Sequence, residues 1–259
     1  MAIPQTTAPQ VTFMKGHRFS RAGFTLVEVL VVVLIIAVLA SLAMAGWQRA
    51  RAASSMVLST DRIKGLGTAN AIYATEHNGS YVPILSFDGN GQAGVMWHFN
   101  ADFLGPLIGD TEFLNGVTGY EGIGGMPEVV LDPLAVRAKK RFSDRISASY
   151  GYNDENIPLP YVSGGRNQKA QQSVVRMSAP ARMMNFITAT DYLVRFDGRS
   201  SWLANPVEGK TDNGQIAYRH NNKAIAVFYD GHTELLSNED IRRFDKLGGV
   251  SSVFWGGSR

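Results

Sequence analysis

The most constraining feature of this sequence is an uncharged apolar stretch near its N-terminus. From Val29 to Trp47 the chain has 19 residues without a charged side chain. As a helix, this stretch spans about 28 Å at about 1.5 Å per residue, close to the hydrocarbon thickness of a bilayer. A single segment in lipid must satisfy its backbone hydrogen bonds internally, so we predict a membrane helix.

Two simpler explanations of the stretch were weighed. A secretory signal peptide has an apolar region of about 7–15 residues that ends at a small-residue cleavage site. The stretch here is longer, and an acidic residue, Glu28, lies near its start. An uncleaved signal anchor, in which the helix only tethers the protein, stays open at this point.

Glu28 is a carboxylate at the beginning of the apolar stretch. Such a charge costs on the order of 2.5–3.5 kcal/mol near the centre of a membrane helix and less near its end, so it is kept where it has a partner. Cleavage of the Gly23–Phe24 bond would free an α-amine on Phe24, one helical turn from Glu28. That amine, from the same or a neighbouring chain, would neutralise the carboxylate.

The residues from Arg21 to Leu30, RAGFTLVEVL, resemble the prepilin processing motif of type IV pilins and type II secretion pseudopilins. The resemblance implies cleavage after Gly23 by a prepilin peptidase of the inner membrane and N-methylation of Phe24. It also implies that Glu28 pairs with the Phe24 amine of an adjacent subunit during assembly. Many pilins have a helix-kinking proline where this chain has Ala45, so no kink is expected there.

The fold class that we predict is α+β and pilin-like, with a long N-terminal helix packed on a small antiparallel sheet. The helix has a membrane half and an amphipathic half, in which Met56, Ile63, Leu66 and Tyr73 share one face. The predicted divisions are a basic leader at 1–23, a membrane and assembly helix at 24–47, its amphipathic continuation at 48–78, and a globular head at 79–259. Within the head, 79–125 is predicted as a glycine-rich insertion.

The C-terminal part is predicted to be a β-meander over residues 215–236. Its strands are expected at 215–219, 223–229 and 232–236, and a short helix is expected from Asn238. Asp230-Gly231 between two apolar runs favours a type I′ turn. The strand at 223–229 is apolar on both faces, which is typical of a strand covered on both sides.

His220, nine intervening residues and then Asp230-Gly231 resemble a C-terminal signature of a subgroup of prepilin-like proteins. The resemblance does not imply a function for the signature. A metal site at His220, Asp230 and His232 was considered, because these residue types bind divalent ions. An extended strand from Lys223 to Asp230 covers about 23 Å at about 3.3 Å per residue, so His220 and Asp230 would lie near opposite ends of one hairpin. A structural turn role is therefore favoured, and no metal is expected.

Two further motifs resemble ligand-binding loops, but an ordinary loop explains each of them more simply. Gly89, Gly91 and Gly94 match the spacing of a dinucleotide-binding turn, but no strand–helix pattern surrounds them. Asp88 and the residues after it begin like a calcium loop, but Phe99 stands where the bidentate glutamate belongs. We therefore expect no cofactor.

Charge and cysteine content exclude two function classes. The leader carries Lys15, Arg18 and Arg21 without an acid, and the rest of the chain is neutral. A nucleic-acid binder needs a basic face on its folded part, so nucleic acid is not an expected partner. The chain has no cysteine, which excludes disulfides and thiol catalysis.

The expected function is that of a structural subunit, a pilin or pseudopilin, with no catalytic residues. Its expected partners are other pilin copies, the prepilin peptidase and inner-membrane lipid. It is expected to span the inner membrane once, with an extracytoplasmic head, before it enters a pilus or pseudopilus. A minor pilin with an adhesive head, a membrane-anchored binding protein and a tethered enzyme remain as alternatives, and the sequence does not separate a secretion pseudopilus from an external pilus.

Overall fold

The structure is a computed structural model that describes residues 25–87, 93–109, 128–139, 149–153, 161–162, 165–166, 177–204, 206, 214–246 and 252–256. The chain divides into two compact units, Met1–Arg49 and Ala50–Arg259. The predicted leader and the cleavage site lie outside the described residues.

The first helix, α1, runs from Leu26 to Glu76. It is assigned as one helix through Ala45 and Gly46, as the sequence predicts. Its end is a turn of Schellman type, in which the Gly79 N–H donates to the Ala74 carbonyl at 2.8 Å and Asn78 takes a left-handed φ of 55°. In the first unit, every residue of α1 from Leu26 to Arg49 is exposed.

In the second unit, one face of α1 is buried. Ile63 and Leu66 have no exposed surface, Tyr73 is 6% exposed, and Met56 packs against the same core. The amphipathic half is therefore confirmed. Gly67 faces the sheet so closely that an added Cβ would lie 2.8 Å from Cγ2 of Val227. Glycine is needed at this position for the helix to approach the sheet.

The remaining helices and strands are short. The helices are α2 (Ala101–Ile108), α3 (Pro133–Lys139), α4 (Ser201–Ala204) and α5 (Asn238–Lys246). The strands are β1 (Leu85–Phe87), β2 (Ala93–Met96), β3 (Tyr150–Asn153), β4 (Tyr161–Val162), β5 (Gly165–Arg166), β6 (Met184–Thr188), β7 (Leu193–Val194), β8 (Lys223–Phe228) and β9 (Thr233–Ser237).

The main sheet has the order β7-β3-β6-β8-β9. All of its pairs are antiparallel except β3 with β7, which makes the sheet mixed rather than purely antiparallel. The α+β layout is confirmed. The strand predicted at 215–219 is wrong, because this segment makes only one isolated bridge, from Ile216 to Ala189.

Apolar layers cover both faces of the sheet. One layer contains the buried face of α1 together with Trp97, Phe103 and Phe186. The other contains Phe228, Ile241, Phe254 and Trp255. All residues of β8 after Lys223 are buried, which confirms that this strand is covered on both sides.

The two turns that flank β8 are of different types. Asn221 and Asn222 have φ values of 52° and 59°, and His220 and Lys223 exchange two backbone hydrogen bonds across them. That geometry is a type I′ turn. The type I′ prediction for Asp230-Gly231 is wrong, because only Gly231 has a positive φ, 90°. The Phe228 N–H bonds to the His232 carbonyl, which gives a three-residue loop with a left-handed glycine.

Candidate functional site

The first turn of α1 holds Glu28, the predicted assembly residue. Its Oε2 accepts hydrogen bonds from the backbone N–H and from Oγ1 of Thr25, both at 2.8 Å. In return, Oγ1 of Thr25 accepts the Glu28 N–H at 3.2 Å. This reciprocal pair is a capping box, which satisfies free N–H groups at the start of a helix. Gly23 and Phe24 lie outside the described residues.

The capping box places the Glu28 carboxylate beside the helix N-terminus. Free N–H groups make that end of the helix electropositive, so a carboxylate is favoured there. The sequence alone pointed to an amine as the partner of Glu28. The Thr25-x-x-Glu28 spacing is the signal that reveals the capping box from the sequence.

The structure places the three signature residues in two separate clusters. Oδ1 of Asp230 accepts the backbone N–H of His232 at 3.1 Å and lies 2.5 Å from Nδ1 of the same histidine. The His232 ring stacks on Phe228, with ring centroids 4.3 Å apart, and its Nε2 lies 3.3 Å from Oε1 of Glu234. Asp230 and Gly231 therefore build a surface turn at one end of β8.

The pKa of Asp230 is set by two opposing effects. Desolvation raises it, but the hydrogen bonds from His232 outweigh that effect, so the pKa lies below its usual value. The carboxylate is therefore ionised at neutral pH and holds the loop as an acceptor.

His220, at the other end of β8, is buried and contacts an aspartate that the sequence analysis did not single out. Its Nε2 lies 2.8 Å from Oδ2 of Asp132, and the side chains are 1% and 0% exposed. The same Oδ2 accepts the hydroxyl of Ser59 on α1 at 2.6 Å. The backbone N–H of Asp132 donates to Oγ of Ser149 at 2.6 Å. We call Ser59, Asp132, Ser149, Tyr150 and His220 the Asp132 cluster.

Asp132 also begins α3. Its Oδ1 accepts the backbone N–H groups of Leu134 at 2.7 Å and Ala135 at 3.3 Å. Aspartate before the helix, followed by Pro133 as its first residue, is a favourable helix start. The helix α3 that follows runs from Pro133 to Lys139. The Asp132-Pro133 pair was the sequence signal available for this residue.

Electrostatic effects in the cluster stabilise an ionised Asp132. Burial acts to raise its pKa. The hydrogen bond from His220 and the charge of Arg219, together with a weaker effect of the hydrogen bond from Ser59, outweigh burial and lower the pKa to about 2. Burial beside this carboxylate raises the pKa of Tyr150 well above its usual value, so the phenol stays neutral. Its hydroxyl lies 2.9 Å from Oγ of Ser59.

The geometry of the cluster fits a structural role. A catalytic serine needs a base that takes its proton, and a histidine with the carboxylate behind it is the usual arrangement. Here the hydroxyl of Ser59 and the ring of His220 both point to Asp132. Because Ser59 and Asp132 are fully buried, a substrate could not reach them without opening the core. The cluster joins α1, the start of α3, the start of β3 and the Asn221-Asn222 turn.

The described part of the chain contains no group of three or more His, Cys, Asp or Glu side chains placed to hold a metal ion. The glycines of the dinucleotide-like spacing and the calcium-like segment lie wholly or partly outside the described residues.

The N-terminal helix and one comparison with known proteins point in the same direction. Within the described residues, one helix, Leu26–Glu76, is long and apolar enough to cross a membrane. Residues 18–44 match a family model described as the prokaryotic N-terminal methylation motif. No curated protein and no solved structure shows significant similarity to the chain. The match supports a type IV pilin-like protein that prepilin peptidase processes, and it points to a structural protein rather than an enzyme.

Proposed function

We propose that this protein is a pilin or pseudopilin, a structural subunit that polymerises into a type IV pilus or a type II secretion pseudopilus. The observation that carries the proposal is the methylation motif over residues 18–44, which lies in register with the start of the apolar helix. A motif that prepares an N-terminus for assembly is expected on a subunit that assembles.

Processing begins in the membrane. Residues 24–47 hold the precursor in the inner membrane with the head outside the cytoplasm, and prepilin peptidase cuts between Gly23 and Phe24. The new amine of Phe24 is then methylated. All residues of α1 from Leu26 to Arg49 are exposed in the single chain, so this apolar surface requires lipid before assembly and neighbouring subunits afterwards.

Glu28 determines the register of assembly in this proposal. Its carboxylate pairs with the Phe24 amine of an adjacent subunit, much as one buried polar residue specifies alignment in a coiled coil. The capping box supports this role, because it holds the carboxylate in the first turn of the helix. An incoming amine therefore meets an acid whose position is already restricted.

The experiment combines the mature N-terminus with two substitutions in the capping box. Mass spectrometry of the wild-type protein is expected to show a chain that begins with methylated Phe24. Glu28→Ala is expected to be cleaved normally but to lose assembly into fibres, measured by shearing and electron microscopy. The substitution removes the Glu28 half of the capping box together with the partner of the amine.

Thr25→Ala separates these two roles, because it removes the cap and keeps the carboxylate. The lost cap costs about 1 kcal/mol of helix stability. We expect Thr25→Ala to form fibres, since Glu28 is still present to bind the amine. A native chain that still begins at Met1 would contradict the proposed function, and equal loss of fibres in both variants would contradict the amine pairing.

A further inference from the structure

The main sheet has an open edge at β9. The opposite edge strand, β7, has two residues, and the chain just after it is already bonded, because the Arg195 N–H donates to the Gly214 carbonyl. β9 runs over five residues, Thr233–Ser237, and among the described residues it pairs only with β8. It contains no proline or lysine, and its register with β8 has no bulge. Such an edge is a ready template for pairing with another strand.

The register shows which backbone groups of β9 are open. The Phe228 N–H donates to the His232 carbonyl, so these two residues form a hydrogen-bonded pair at the start of the β8–β9 ladder. In an antiparallel ladder, hydrogen-bonded and non-hydrogen-bonded pairs alternate. Glu234 therefore bonds to β8, whereas the N–H and C=O groups of Thr233 and Leu235 point away from it. No described residue bonds to these four groups.

On the α1 face of the sheet, the edge of β9 is apolar. The Leu235 side chain lines a depression beside Val57 of α1. Val57 is 67% exposed and Leu235 is 39% exposed, and the two charged residues that also line the depression, Asp61 and Lys64, have opposite signs. Side chains of an added strand alternate between the two faces of the sheet, as those of β9 do. The side chain opposite Leu235 would enter this depression, which favours an apolar residue.

On the other face, the edge of β9 is negatively charged. The Glu234 side chain is 48% exposed there, and its Oε1 lies 3.3 Å from Nε2 of His232. Nδ1 of the same histidine lies 2.5 Å from Oδ1 of Asp230. Two carboxylates share one imidazole, so the group keeps a net negative charge whether or not the ring is protonated. Lys223, the basic residue of β8, lies opposite Ser237 on the α1 face. A basic side chain is therefore favoured beside Glu234.

The open backbone groups and the two faces fit one kind of partner. An extended segment supplies hydrogen-bond partners for the β9 edge, and its alternating side chains meet an apolar depression on one face and carboxylates on the other. We propose that the β9 edge binds an extended peptide segment of another protein in which apolar and basic residues alternate. Backbone hydrogen bonds supply the affinity in this mode, and the surroundings of alternate side chains supply the specificity.

A synthetic probe tests the proposal on the full-length chain in detergent. The probe is a fluorescein-labelled heptapeptide that alternates valine and lysine, and fluorescence anisotropy measures its Kd. One control peptide has the same composition with its valines and lysines in two blocks, and the other is the alternating peptide N-methylated throughout. We expect each control to bind about tenfold more weakly or worse. The first cannot separate its side chains by face, and the second has no N–H donors.

Two pairs of chain variants locate the binding site. Leu235→Pro removes an N–H that points away from β8, which an edge strand tolerates, and Leu235→Ala removes the same apolar side chain but keeps the N–H. We expect the proline variant to bind the probe about threefold or more weakly than the alanine variant. Glu234→Lys is expected to weaken binding about threefold or more, because an attraction becomes a repulsion. Glu76→Lys makes the same charge change at the end of α1 and is expected to leave the Kd within about twofold of wild type.

The outcomes distinguish strand addition from other kinds of binding. Equal Kd values for the alternating and block peptides would indicate charge attraction without strand pairing and would overturn the proposal. Equal binding by Leu235→Pro and Leu235→Ala, both folded by circular dichroism, would overturn it as well. The N-methylated peptide tests the same hydrogen bonds without a change to the chain. Disulfides between two copies of a Leu235→Cys chain, which has no other cysteine, would assign the edge to a second copy and overturn the proposed partner.

Discussion

At the scale of single residues, the Asp132 cluster places a carboxylate and an imidazole in the interior of the head. Two ionisable groups taken out of water lose solvation, and only good geometry with further hydrogen bonds offsets that loss. Asp132 has this support, since both of its oxygens accept hydrogen bonds and its N–H donates one. The histidine of the C-terminal signature thus has a buried partner, whereas the aspartate of the signature lies in a surface turn.

The first prediction compares two histidines on either side of β8. His220→Leu leaves Asp132 buried without its ring partner, and we expect the free energy of unfolding to fall by about 3–5 kcal/mol. His232→Leu removes a surface contact of Asp230 and is expected to cost about 1 kcal/mol or less. Urea unfolding of the detergent-solubilised chain, followed by tryptophan fluorescence, measures both. Similar losses of unfolding free energy in the two variants would show that the buried pair contributes no more to stability than the surface contact.

Acid stability follows from the same carboxylate. Its pKa is about 2 in the folded protein, below the ordinary value of about 3.9 in an unfolded chain. A lowered pKa contributes stability above pH 4, and this stability is lost as the pH falls from about 4 to about 2. The loss amounts to roughly 2 to 3 kcal/mol. Between pH 4 and pH 2, we expect the free energy of unfolding to fall by about that much less in Asp132→Asn than in the wild-type protein. An equal fall in the two proteins would contradict the lowered pKa of Asp132.

At the scale of elements, features that depend on local sequence patterns were easier to predict than features that depend on long-range contacts. The spacing of Ile63, Leu66 and Tyr73 predicted the buried face of α1, and the apolar run at 223–229 predicted a strand covered on both sides. The segment 215–219 has the composition of a strand but makes a single bridge, because pairing depends on neighbours that composition does not reveal. The contact of His220 with Asp132 spans 88 positions and leaves no local pattern.

The prediction at this scale concerns the turn before β8. Asn222 has a φ of 59°, a conformation that asparagine and glycine tolerate and alanine does not. We expect Asn222→Ala to lower the free energy of unfolding by about 1 kcal/mol and Asn222→Gly to leave it nearly unchanged. Thermal unfolding of the two variants distinguishes them. A glycine variant as unstable as the alanine variant would mean that the asparagine side chain, rather than the backbone, matters.

At the scale of the whole molecule, the two units were predictable to different degrees. The N-terminal unit carries a motif whose residues lie side by side, so its processing and its helix could both be predicted from a short stretch. The second unit contains the Asp132 cluster, whose residues come from α1, the start of α3, the start of β3 and the turn before β8. These positions are far apart in the sequence. The capping box at Thr25 and Glu28 was missed although its spacing is local, because the carboxylate had already been assigned to an amine.

The span of the Asp132 cluster along the chain has a consequence for synthesis. Its first member is residue 59 and its last is residue 220, so a growing polypeptide exposes the acid long before the imidazole has been made. Until then the Asp132 carboxylate lacks its imidazole partner. The cluster is thereby completed only after residue 220 has been translated.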